Sequence, residues 1–168
     1  MDTKEIIGLS VLLGLVAFGR VAQLYIWPRL QVMGREDALN ALVAPHMFRY
    51  AGLSFLMPGV VSPQLPTAFA FPTAYGDLTA ALLAIVATFA LSARASWAIP
   101  VVWLLNIEGS IDLLFAYYNG VVSIGLEPGA LGAAFYIPTV IVPPLLYTHF
   151  LMFRLLLSPV LRARPHST

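Results

Sequence analysis

The chain has 168 residues, 60% of them apolar and only 10% charged, with a mean hydropathy of +0.85. An ordinary globular domain carries roughly 25% charged residues, so this composition excludes a water-soluble domain. A net charge of +1 with a single lysine, Lys4, excludes a nucleic-acid partner, and the absence of cysteine excludes disulfides, zinc thiolates, iron–sulfur clusters and thiol nucleophiles.

The pattern predicts an all-α, single-domain transmembrane bundle over 1–168. A span needs about 20 mostly apolar residues. The first candidate covers 5–27; its length, its flanks, the late charge at Arg20 and the lack of a small-x-small site mark it as a retained span, not a cleaved signal. The second covers 38–57, with Asp37 as its N-cap and Pro58-Gly59 as its stop. The 58–75 segment, PGVVSPQLPTAFAFPTAY, holds four prolines and reads as an irregular outer loop in which Phe69 and Phe71 either cap the interface or re-enter it. The third span covers 77–93 and the fourth 97–119. The fifth covers 131–157, is interrupted by Pro138, Pro143 and Pro144, and precedes a short basic tail over 158–168.

Five spans put the termini on opposite sides. The N-terminal side then carries one basic residue, Lys4, and the other side carries five, Arg29, Arg35, Arg94, Arg162 and Arg164, or six with Arg154. By the positive-inside rule the N-terminus lies outside and the C-terminus in the cytoplasm, with Trp27 and Trp97 at the inner interface of a bacterial inner membrane.

Ionisable residues inside spans are costly and mark function by default. At 1.5 Å per residue, Arg20 lies about 10 Å from the inner end of its span, and His46 and His149 about 12 Å. Arg49 and Glu108 lie about 16 Å deep and Asp112 about 22 Å. Groups from four helices therefore share one slab. Glu108 and Asp112 are four apart and share a face. Two such carboxyl groups in low dielectric do not both ionise: one is protonated unless a cation compensates, for which Arg49 has the right depth and Arg20 is a second choice. Asn106 and Ser110 form another polar line on the same helix, and Tyr50 follows Arg49. The prolines of the fifth span leave the carbonyls of Ala134, Thr139 and Val140 without helical partners. The resulting kink either aids packing or opens a pocket lined by Tyr136, Thr139 and Tyr147.

His46 and His149, at equal depth on different helices, are also candidate axial ligands of a b-type haem. No tight ligand spacing such as H-E-x-x-H is present, so no metal site is expected. Without a G-x-S-x-G elbow or a Gly-rich phosphate loop, neither hydrolase nor phosphate chemistry has support.

The stretch Arg49-x-x-Gly52-Leu-x-Phe55-Leu-x-Pro-Gly59, a loop, then Tyr75-Gly76-Asp77-Leu78 opening an Ala/Leu-rich helix resembles the DoxX-like group of small bacterial membrane proteins over Arg49–Asn119. That resemblance implies an inner-membrane protein associated with quinone-linked oxidation; the group usually has four spans, and the extra helix is a departure. The architecture is also similar to that of the sterol-isomerase-like membrane group, in which Glu108, Asp112 and His46 would pass a proton across a lipophilic alkene or enone.

Three functions fit these residues. The first is binding of a lipophilic or amphipathic small molecule, quinone-like or isoprenoid-like, by Arg49, Tyr50, Arg20, Asn106, His149, Tyr136 and Tyr147. The second is acid–base catalysis of the isomerase or oxidoreductase type by Glu108, Asp112 and His46. The third is a structural or accessory role in which the charges only pair helices. The bilayer is the expected surrounding, and transport by so small a chain would require a homo-oligomer or a membrane partner subunit.

Overall fold

The computed structural model describes residues 1–158, so the expected basic tail over 158–168 lies, beyond Ser158, outside the described residues. Among these the chain is helical and forms no strand ladder. Four helices are long and apolar enough to cross a membrane: α1 (Thr3–Val32), α3 (Thr67–Ser92), α4 (Ala98–Ser123) and α5 (Ile137–Leu157). The expected second span takes another form. A short helix, α2 (Arg35–Val43), passes at Pro45 into a 3-10 helix over Ala44–Leu56. The helix starts at Gly34 and not at Asp37, which sits in its first turn.

Thirteen residues is a long 3-10 run. Such helices usually last three or four residues, because their hydrogen bonds are poorer. Its consequence is register. With three residues per turn, positions i and i+3 eclipse, so His46, Arg49, Gly52 and Phe55 form one straight stripe, and all four are buried. An α-helix would rotate the last of these to the opposite face.

Helix α3 begins ten residues earlier than the expected start at Asp77. Proline density does not prevent this, because Pro66 caps the helix and Pro72 alone falls inside it. Pro72 has no N–H for the carbonyl of Ala68, and the Asn119 side-chain amide donates to that carbonyl instead, at 3.0 Å. Phe69 is thereby a buried helical residue, set edge-on against Phe55 at 5.6 Å, and not part of an outer loop. The outer closure comes from elsewhere. Ser62 N–H donates to Ala130 O at 3.0 Å and Ala133 N–H to Val60 O at 2.8 Å, which ties the 58–65 segment to a 3-10 turn over Pro128–Phe135. Gly132 makes that turn with φ of 53° against the Val60 carbonyl, where a side chain has no room.

Small residues set the helix spacing. Ala74, Ala80, Ala81, Ala84, Ala87 and Ala90 of α3 are all buried, and small side chains let backbones approach closely. Two apolar clusters result. One gathers Leu39, Leu42, Val43, Ala84, Leu91, Val102, Leu105, Met152 and Leu155 at the end where α2 begins. The other gathers Phe55, Leu65, Phe69, Ala74, Leu131 and Ala134 at the opposite end. The buried polar groups lie between them.

Helix α1 is peripheral and buries almost nothing of itself. It crosses α5 at two glycines: Gly14 lies against the Thr139 carbonyl and Gly19 against the Tyr147 hydroxyl. The proline-freed backbone of α5 therefore packs on α1 and does not open a pocket lined by Tyr136, Thr139 and Tyr147; Tyr136 is exposed. At the arginine-rich end, Arg35 donates to the terminal carbonyls of α5, Leu155 O at 3.2 Å and Leu156 O at 2.9 Å, which have no intrahelical partner. Arg94 bridges Glu36 at 2.9 Å and Asp37 at 2.7 Å.

Candidate functional site

Arg49 is the centre of the polar layer. Its Nε donates to Asp77 Oδ1 of α3 at 2.8 Å, its Nη1 to Gly109 O of α4 at 3.2 Å, and its Nη2 to Asp112 Oδ2 of α4. One guanidinium thus ties the 3-10 helix to both α3 and α4. Arginine suits this because its planar fork presents several donors in fixed directions.

Glycines make the room. A Cβ on Gly52 would collide with the Asp77 carboxyl group, and one on Gly76 with the Asp112 carboxyl group. A Cβ on Gly109 would stand 2.7 Å from Arg49 Nη1 and 2.8 Å from His149 Nε2. Each helix of the trio therefore gives up a side chain where a neighbour's charged group lies across it.

His149 and His46 extend the layer toward α5. His149 Nδ1 is 2.7 Å from Asn106 Oδ1, an acceptor, so the proton sits on Nδ1 and Nε2 keeps its lone pair. The Thr148 hydroxyl donates to Leu145 O at 2.8 Å and accepts from His46 Nε2 at 2.8 Å, which leaves His46 Nδ1 as the bare nitrogen. The two rings touch, with centroids 4.2 Å apart and planes at 52°. His46, Arg49, Asn106 and His149 are each 2% exposed or less. His46 Nδ1, His149 Nε2, Asn106 Nδ2 and Glu108 Oε2 are buried and find no hydrogen-bond partner among the described residues.

Glu108 differs from the rest. It is half-buried, one residue before Gly109, with one oxygen turned into the bundle. On its own helical face stand Leu104, Ile111 and Phe115, all exposed. Behind it, one guanidinium faces two aspartates. Counted with Glu108, the layer holds three carboxyl groups and, among the described residues, one arginine.

A family model matches residues 6–157, a stretch that contains the whole polar layer. The chain belongs to the family described as Domain of unknown function (DUF8737). No curated protein and no solved structure matches it.

In this DUF8737 protein Asp112, His46, Arg49, Asn106 and His149 come together as the sequence predicts, and Glu108 flanks them. Other expected members lie elsewhere. Arg20 is exposed on α1 and donates to Gln23 at 2.9 Å, so it compensates no buried carboxylate. Tyr50 and Tyr136 are exposed, and Tyr147 packs on Gly19. Arg49 takes Asp77 and Asp112 as its partners and not Glu108, because Glu108 lies toward the outside of α4 while Gly109 and Asp112 face the 3-10 helix. The histidine pair does not fit a bis-histidine haem: the rings touch each other, and a macrocycle would have to lie between them. Among the described residues no group of three or more His, Asp or Glu is arranged to hold a metal ion. Asp77 is the member that sequence reasoning missed, since Gly76-Asp77 after a proline-rich stretch resembles a helix start; the signal was its place on the alanine face that α3 buries.

Proposed function

We propose that this protein crosses a bacterial inner membrane five times and holds, at mid-depth, a lateral site for a lipophilic or amphipathic small molecule. Five crossings are supported by length: α2 and the 3-10 helix have 9 and 13 residues, together about 40 Å against a hydrocarbon core of about 30 Å. Orientation follows from charge. Lys4 pairs with Glu127 at 2.8 Å at one end, while Arg29, Arg35 and Arg94 share the other, so the N-terminus is outside and the C-terminus cytoplasmic.

The observation that carries the reading is Glu108. It lies about 15 Å along α4 from the arginine-rich end, with an unpartnered buried oxygen and an apolar, exposed surround. A carboxyl group at that depth is costly unless something meets it. A molecule arriving from the bilayer lays its apolar part along Leu104, Ile111 and Phe115 and brings its polar head to Glu108, with Asp112 behind. Arg49 is a positioning residue: Nε, Nη1 and Nη2 each donate within the bundle, to Asp77, Gly109 and Asp112, so it holds the acids and helices in place.

Native mass spectrometry of protein extracted with its surrounding lipids tests this. A non-lipid molecule of constant mass, bound one per chain and lost in Glu108→Gln, is the expected result. A bare chain, or an adduct indifferent to Glu108→Gln, contradicts it. A reporter fused after Thr168 should be active only in the cytoplasm.

A further inference from the structure

The polar head that this site takes can be read from which atoms are left over. The inference rests on the lateral site at Glu108 proposed above. Of the buried unpartnered atoms in the layer, His46 Nδ1 and His149 Nε2 are lone-pair nitrogens and Glu108 Oε2 is a carboxyl oxygen. The N–H groups left to meet them are the two of Asn106 Nδ2 and the two that Arg49 keeps beyond its three bonds, whereas the carboxyl groups of Asp77, Asp112 and Glu108 still offer several lone pairs each; the Thr73 hydroxyl can serve either way. Arg49, the one cation of the layer among the described residues, is already shared between Asp77 and Asp112. His149 supplies an observation independent of the acids: it is almost wholly buried, and its bare Nε2 lies with Arg49 Nη1 over Gly109, in the polar layer behind Glu108. The layer therefore has surplus acceptors and surplus formal negative charge, both deep in the bundle, where an unmet charge is most costly.

From this we infer that the ligand is a lipophilic cation bearing N–H donors, an amphiphilic primary or secondary ammonium. Its charge offsets Glu108, and its N–H groups give the strong charge-assisted bonds that carboxyl oxygens accept. A quinone head brings only carbonyl oxygens. It would add acceptors and no positive charge to a layer whose acceptors and acids already outnumber its donors and cations, so a quinone-like ligand is disfavoured. A quaternary ammonium supplies the charge without the hydrogen bonds and ranks between the two. The approach is lateral, past Ile111 and Leu104, which suits a molecule that partitions into the bilayer before it binds.

The test uses full-length protein in micelles and three probes: dodecylammonium, dodecyltrimethylammonium and a decyl-substituted benzoquinone. One-to-one complexes are titrated by native mass spectrometry in the wild type, in Glu108→Gln and in Ile111→Trp, which blocks the lateral approach while leaving every polar group in place. The expected order of affinity is dodecylammonium, then dodecyltrimethylammonium, then the quinone. Glu108→Gln should weaken dodecylammonium at least about tenfold, the equivalent of one charge-assisted hydrogen bond. Ile111→Trp should weaken all three probes, and it carries the test alone if Glu108→Gln does not fold. If the quinone binds as tightly as dodecylammonium and both respond to the variants, the site stands and the cation inference falls. If no probe responds to either variant, the site at Glu108 falls as well.

Discussion

Asp112 lies across Gly76 so closely that its carboxyl group fills the space a side chain there would need. The same holds for Asp77 over Gly52. The buried ion pairs of Arg49 therefore depend on glycines that sit on helices other than those of the aspartates. Changing Gly76 to Ala should push Asp112 off Arg49 and cost about 3 kcal/mol, from overpacking and a broken buried pair together. Gly8→Ala is the control, because a Cβ there meets nothing within 4 Å. It should be neutral or stabilising by up to about 1 kcal/mol, as expected for Gly inside a helix. Denaturant unfolding in micelles measures both.

The partners of Arg49 are open to a test by neutralisation. Arg49→Gln leaves Asp77 and Asp112 buried without a cation and should cost about 3 to 5 kcal/mol. Adding Asp77→Asn and Asp112→Asn to it should recover most of that loss, whereas adding Glu108→Gln should recover little. Recovery by Glu108→Gln alone would move the pair to the wrong acid.

Pro72 and Asn119 should be coupled through a carbonyl neither of them owns. Asn119→Ala leaves Ala68 O without its donor and should cost about 1 kcal/mol. In a Pro72→Ala background the new backbone N–H can take that carbonyl, so the same change should cost clearly less. Equal losses in both backgrounds would show that the amide does not substitute for the missing helical bond.

Arg94 closes α3 with φ of 52°, a left-handed conformation that favours glycine. Its guanidinium bridges Glu36 and Asp37, but all three side chains are well exposed, so the pairs contribute little. Arg94→Ala keeps the strained backbone and loses the pairs, while Arg94→Gly loses the pairs and relieves the strain. The glycine variant should unfold later than the alanine variant by about 1 kcal/mol.

The helical bundle was legible because hydropathy over some twenty residues reports lipid-length helices, whatever their details. The slab of Arg49, His46, His149, Asn106 and Asp112 was legible too, since depth along a helix is a matter of counting. What hydropathy does not carry is azimuth. Glu108 and Arg49 share a depth, yet the three-residue register of the 3-10 helix turns Arg49 toward Gly109 and Asp112. Pro72 misled because proline reads as a breaker, and the amide that rescues its carbonyl lies 51 positions from Ala68. Asp77 was hidden for the same reason: the glycine that accommodates it, Gly52, belongs to another helix.

Arg49 is clamped between Asp77 and Asp112 within the bundle. Solid-state NMR in lipid bilayers, with the Arg49 guanidinium labelled with nitrogen-15 and the carboxyl carbons with carbon-13, reads it directly. The expected spectrum shows short nitrogen–carbon contacts to two aspartate carboxyl groups, one lost in Asp77→Asn and the other in Asp112→Asn, with both intact in Glu108→Gln. A contact that vanishes in Glu108→Gln, or a guanidinium with no carboxyl neighbour, would contradict it.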